Sequence, residues 1–120
     1  FLKTIKEYVL FNELFLKDNC MVPIEKKECC HAFHLYVIMT KERDGLLSNL
    51  KENGIDTLIH YPLPIHLQEA YEDLQYKQGD FPVAEQLSKE ILSLPMHPFL
   101  STANVKYICD KIHEYMQGNL

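Results

Sequence analysis

The stretch His60-Tyr61-Pro62-Leu63-Pro64-Ile65-His66 holds the residue types and spacing best suited to recognition chemistry. Its two prolines fix the backbone and present neighbouring side chains in defined directions. Two imidazoles and a phenol at such a place can donate and accept hydrogen bonds to a polar ligand. Tyr61 and His66 would equally fill the gap between a strand end and a following helix. On residue types alone, that packing role carries more weight.

Other groupings are weaker. Cys29-Cys30-His31 with His34 has zinc-ligand donor types, but no second Cys-x-x-Cys pair or His-x-x-x-His follows. Adjacent cysteines also suit a structural disulfide poorly, so the plain reading is reduced thiols at a strand entrance. Cys109 and His113 stand at helical i, i+4 spacing, open to a nucleophile–base pair. Cys109 also lies on the apolar stripe of its helix, and core packing is the stronger reading. Glu85 with Lys89 shows only an ordinary helix-surface spacing. Lysines 26, 27, 41, 51, 77 and 89 sit in polar settings, without the apolar surroundings that would activate one as a nucleophile. The four glycines (45, 54, 79 and 118) are too far apart to form a phosphate loop. No catalytic, cofactor-binding or metal-binding residue is therefore expected in this chain.

Size and charge narrow the class. A chain of 120 residues, 47% apolar and 24% charged, matches one soluble domain over residues 1–120. A net charge of −5 with a single arginine, Arg43, argues against a nucleic-acid binder. No apolar run approaches the ~20 residues of a membrane helix, and Phe1 to Glu7 is amphipathic rather than signal-like. A cytoplasmic location is expected. Phe1 is not a start methionine and opens a helical pattern, as in a fragment of something longer.

The elements that must position these residues follow from periodicity. Leu2, Ile5, Val9 and Leu16, with Phe1, Tyr8 and Phe15 beside them, form the apolar stripe of a first helix. A polar link over residues 20–28 leads to a strand over 32–40, apolar enough to be buried on both faces. Thr40 caps a helix that buries Leu46, Leu47 and Leu50 and ends at Gly54. A second strand runs from Ile55 to about His60, stopped by Pro62 and Pro64. A short helix over 64–74, a turn over 76–80 and a helix from Pro82 to about Leu92 follow. Residues 93–98 are extended by their prolines. A last helix begins at Ser101 or Thr102, buries Val105, Ile108, Cys109, Ile112 and Met116, and ends at Gly118. The fold class is α+β: a small, three-stranded, mostly antiparallel sheet (33–39, 55–60 and 92–95) with packed helices.

The run from Gly54 to Tyr71, centred on His60-Tyr61-Pro62-Leu63-Pro64-Ile65-His66, resembles the C-terminal part of the DegT/StrS-type sugar aminotransferases. So do His31 to Ile38, Gly79-Asp80-Phe81-Pro82-Val83-Ala84-Glu85, Ile91 to Pro98, and the closing helix over 105–115, in the family's order and spacing. The resemblance covers nearly the whole chain. The first helix lacks the arginines of the family's equivalent helix.

This resemblance implies the small domain of a fold-type-I pyridoxal phosphate enzyme, with the cofactor held by a large domain absent from this chain. It implies that His60, Tyr61 and, less directly, His66 lie beside a nucleotide-linked keto sugar. The longer protein would take an amino group from a donor, glutamate in most of the family, and act as a homodimer. Its product would be an amino sugar for a polysaccharide or glycosylated metabolite. The fragment alone would be inactive. From a different class, a free-standing interaction or regulatory module descended from such a domain is the alternative.

Overall fold

The computed structural model describes residues 2–15, 20–29, 31–32 and 34–118. Helix α1 spans Leu2–Phe15, and strand β1 spans Tyr36–Met39. Helix α2 covers Arg43–Glu52. Two 3₁₀ turns follow, at Ile65–Leu67 and Glu69–Leu74. Helix α3 (Pro82–Glu90) runs directly into strand β2 (Ile91–Leu94), and helix α4 (Thr102–Gly118) closes the chain.

β1 and β2 pair antiparallel, Tyr36 opposite Leu94 and Ile38 opposite Leu92. With side chains alternating between faces, these four residues form one buried face. Val37 and Met39 on the other face are only half-buried. The first strand is thus covered on one face, not both as its composition suggests. Leu46 and Leu50 of α2 and Val105, Ile108, Cys109, Ile112 and Met116 of α4 complete the core. Phe11 of α1 stacks on Tyr36, ring centroids 4.7 Å apart. The Tyr36 hydroxyl donates to Asn12 Oδ1 at 2.6 Å, which fixes α1 against β1 without leaving a buried phenol unpaired.

The expected three-stranded sheet is two-stranded. Residues 55–60 contribute a single antiparallel bridge, Leu58 to Ser93, through N–H···O bonds of 3.2 and 2.7 Å. The front of that segment is spent on ending α2: Gly54 N–H donates to Lys51 O and Ile55 N–H to Leu50 O. Gly54 has φ +73, the left-handed geometry this helix ending requires. Behind Leu58, Pro62 and Pro64 cannot donate to a ladder. On the opposite edge, Met21 and Met39 exchange bonds of 3.0 and 2.9 Å. The expected polar link therefore also edges the sheet.

Three further expectations are corrected. Val9 is 45% exposed, and α1 instead turns Leu10, Phe11 and Leu14 inward. The other stripe residues named for α1 have side chains outside the described set. Thr40 does not cap α2. Its hydroxyl accepts from Glu42 N–H in the turn before the helix, and α2 starts at Arg43. The segment expected as one short helix over 64–74 is two 3₁₀ pieces broken at extended Gln68.

Candidate functional site

Ser93 lies between Leu92 and Leu94, so its side chain leaves the sheet on the face away from the helical core. His60 stands over it, Nδ1 2.9 Å from Ser93 Oγ. The hydroxyl is buried beneath the ring, and this contact fixes the imidazole at the point where the chain leaves the sheet. Tyr61 follows, 64% exposed, its ring edge-on to His60 at 5.6 Å. The structure thus brings His60 and Tyr61 together, one anchored on Ser93 and the other largely exposed. Leu58, Leu63 and Ile65 are also exposed, so an apolar strip flanks this polar pair.

His66 is held elsewhere. Its side chain is 8% exposed and its Nε2 lies 3.1 Å from Glu85 Oε1. Glu85 also accepts from the backbone N–H groups of Gly79 at 2.7 Å and Phe81 at 3.4 Å. Those bonds, the Gly79 amide first, hold its carboxyl below the usual glutamate range, with the His66 contact adding to them against the opposing effect of burial. An ionised carboxylate only accepts, so the proton between them sits on His66 Nε2. The ring of Phe81 lies against His66, centroids 4.8 Å apart, and Tyr76 meets Phe81 edge-on at 5.0 Å. These rings border an open groove of about 350 Å³ lined by Ile65, His66, Tyr71, Leu74, Tyr76 and Phe81. Glu85, which its spacing to Lys89 marks only as a helix-surface residue, is therefore a buried hub. Its partners lie 4, 6 and 19 residues away, and no local pattern discloses the last of them.

The one arginine is structural. Arg43 is buried, and its Nη1 donates to Ser88 O at 3.1 Å and Ile91 O at 3.3 Å, across the junction of α3 and β2.

The DegT/DnrJ/EryC1/StrS aminotransferase family model matches residues 8–113. The chain belongs to this family. A "pleiotropic regulatory protein" of Geobacillus stearothermophilus is 43% identical to it over 108 residues, covering 90% of this chain and 29% of that protein. The dTDP-3-amino-3,6-dideoxy-alpha-D-galactopyranose transaminase of Aneurinibacillus thermoaerophilus is 38% identical over 94 residues, 78% of this chain and 25% of that enzyme. Among solved structures, DesV of S. venezuelae in complex with a ketimine intermediate superposes with a TM-score of 0.91 at 29% identity, over 96% of this chain and 31% of DesV. The chain thus spans about three tenths of the length of the relatives it matches.

The family implies pyridoxal phosphate, and the described residues do not fit that group. Lysines 6, 26, 27, 41, 51, 77, 89 and 106 are exposed, and Lys111 is paired to Glu114 at 2.6 Å. Gly54 and Gly79 each face open space in separate turns, so they form no cradle for a phosphate. Among the described residues no group of three or more His, Cys, Asp or Glu is gathered as a metal would need. Cys29 is exposed, and Cys30 lies outside the described residues. No described helix is long and apolar enough to cross a membrane.

Proposed function

We propose that this chain is the C-terminal small domain of a pyridoxal-phosphate-dependent aminotransferase that aminates a keto carbon on a nucleotide-linked sugar. The observation that carries the reading is the family match across residues 8–113. Relatives named as transaminases of dTDP- and UDP-linked sugars support the substrate class.

In this reading the cofactor and the lysine that bonds to it belong to the remainder of a longer, cytoplasmic, homodimeric protein, with glutamate as amino donor. This chain's residues bind, orient and exclude water. His60, held by Ser93, and Tyr61 beside it offer hydrogen bonds to the sugar or its phosphates. The exposed apolar strip of Leu58, Leu63 and Ile65 is a surface for the rest of the protein to cover, since side chains of this kind are costly to leave in water. His66 stays among the substrate-side residues by holding the loop that carries Tyr61. The amino sugar produced would serve polysaccharide or glycosylated-metabolite synthesis. The free-standing interaction or regulatory module gains no support from these observations.

The test is amino transfer by the full-length protein. Incubation with glutamate and a dTDP- or UDP-linked 3- or 4-keto hexose should yield the amino sugar and 2-oxoglutarate in equal amounts. Formation of neither product with any such sugar would refute the reading.

A further inference from the structure

The loop that carries Tyr61 is tied to the body of the domain at two places. At one end Leu58 exchanges two backbone bonds with Ser93, and His60 sits on the Ser93 hydroxyl. At the other end His66 donates to Glu85. Between these ties Tyr61, Pro62, Leu63 and Ile65 are exposed. The bonds from Leu67 N–H to Pro64 O and from Gln68 Nε2 to Leu63 O shape the loop without reaching the core.

The Glu85 end is itself built to stay put. Glu85 stands in the first turn of α3, where the helix dipole favours a carboxylate. Its oxygen collects the amides of Gly79 and Phe81 from the turn just before that helix. The turn is closed twice, by Lys77 N–H to Asp80 Oδ2 at 2.8 Å and Asp80 N–H to Lys77 O at 3.1 Å. Gly79 has φ +99, a conformation other residues rarely adopt, and this geometry aims its amide at the carboxylate. One oxygen atom thereby joins three separate stretches of chain: the His66 loop, the 77–81 turn and α3.

We propose that Glu85 is the positioning residue for the sugar-facing loop, its carboxylate setting where the chain from Tyr61 to His66 stands by clamping His66 to the amides of Gly79 and Phe81. The consequence for substrate rests on the function proposed above; the clamp itself does not. Glu85 touches no substrate and acts through His66. With the clamp removed, the loop keeps its Ser93 tie and the Phe81 ring against His66 but loses its hydrogen bond to α3, and Tyr61 samples positions away from the ligand. Binding then weakens, while the reacting groups elsewhere in the protein are untouched.

Glu85→Ala and Glu85→Gln in the full-length protein test this, with two readouts. The first is amide hydrogen exchange over residues 61–67, and the second is the split between KM and kcat for the nucleotide sugar. Glu85→Ala should raise exchange over 61–67 by about tenfold, as local opening becomes easier. It should raise KM by about three- to tenfold with kcat nearly unchanged, the pattern for lost binding order. Glu85→Gln keeps an acceptor for the two amides and should show smaller changes on both readouts. If Glu85→Ala fails to fold, Glu85→Gln decides by the same measurements. Unchanged exchange over 61–67, or raised exchange with an unchanged KM, overturns the proposal. A wild-type protein that transfers no amino group refutes the functional reading alone, and the exchange comparison then decides the clamp by itself.

Discussion

Replacing Arg43 should cost folding stability and leave sugar binding alone. Its guanidinium is the chain's only one, and a sole arginine invites assignment to a substrate phosphate. The contacts say otherwise. Ser88 is in the last turn of α3, where carbonyls lack a helical partner, and Arg43 Nη1 supplies a donor to it and to Ile91 O. Bonds from a charged donor to buried carbonyls contribute about 1.5–3 kcal/mol. The neighbouring Asp44 carboxylate is 85% exposed, so that pair adds little. Arg43→Met keeps the aliphatic stem in place and deletes only the donors. At about 4 °C per kcal/mol for a domain of this size, Tm should fall by about 6–12 °C. Arg43→Lys, with one point donor instead of a planar fork, should recover only part of the loss. Thermal unfolding by circular dichroism and the KM for nucleotide sugar in the full-length protein are the assays. An Arg43→Met variant that melts with the wild type but binds the sugar nucleotide poorly would refute this reasoning.

Two further outcomes follow from the packing and the charges. Gly45 faces the Tyr115 side chain so closely that an added Cβ would meet the phenol oxygen. Gly45→Ala should therefore lower Tm despite a helix-propensity gain of about 1 kcal/mol, and the loss should shrink in a Tyr115→Phe background; equal losses in both backgrounds would contradict this. Because the Glu85 carboxyl titrates below its ordinary value of 4.5, its contribution is complete above that pH and fades as pH falls through the depressed folded value. Among the described residues, His66 from the loop is the titratable group that meets it. Glu85→Gln should flatten the acid limb of the stability–pH curve below about pH 4.5, measured by denaturant unfolding, and an unchanged limb would count against the buried-hub account.

Much of this fold was legible because several segments carry one unambiguous period. In α4 the residues at 105, 108, 109, 112 and 116 fall on one stripe, and all five are buried. In α2 the leucines and Gly54 marked both the inner face and the end. Where periods conflicted, the reading slipped. Residues 8–11, 14 and 15 of α1 make it apolar nearly all round, so the pattern could not choose between Val9 and the Leu10-Phe11-Leu14 face that packs. Ile91 and Leu92 continue the helical pattern of α3, yet they begin β2 because pairing with Met39 and Ile38 recruits them. At the candidate site, residue types and the two prolines that follow single out the His60–Tyr61 segment, while its expected place beside a sugar rests on the family resemblance. Ser93 beneath His60 and Glu85 behind His66 could not. Both contacts join residues 33 and 19 positions apart, and such tertiary pairings leave no trace in local spacing.

The most direct test of the central claim is the nucleotide-sugar KM of Tyr61→Phe in the full-length protein, read beside its melting temperature. The hydroxyl lies on a ring that is 64% exposed, so its loss should barely move folding. A lost hydrogen bond to the sugar contributes about 0.5–1.5 kcal/mol, which corresponds to a KM raised about three- to tenfold at unchanged Tm. A Tyr61→Phe variant that melts several degrees lower but keeps the wild-type KM would place Tyr61 in the packing and contradict the account.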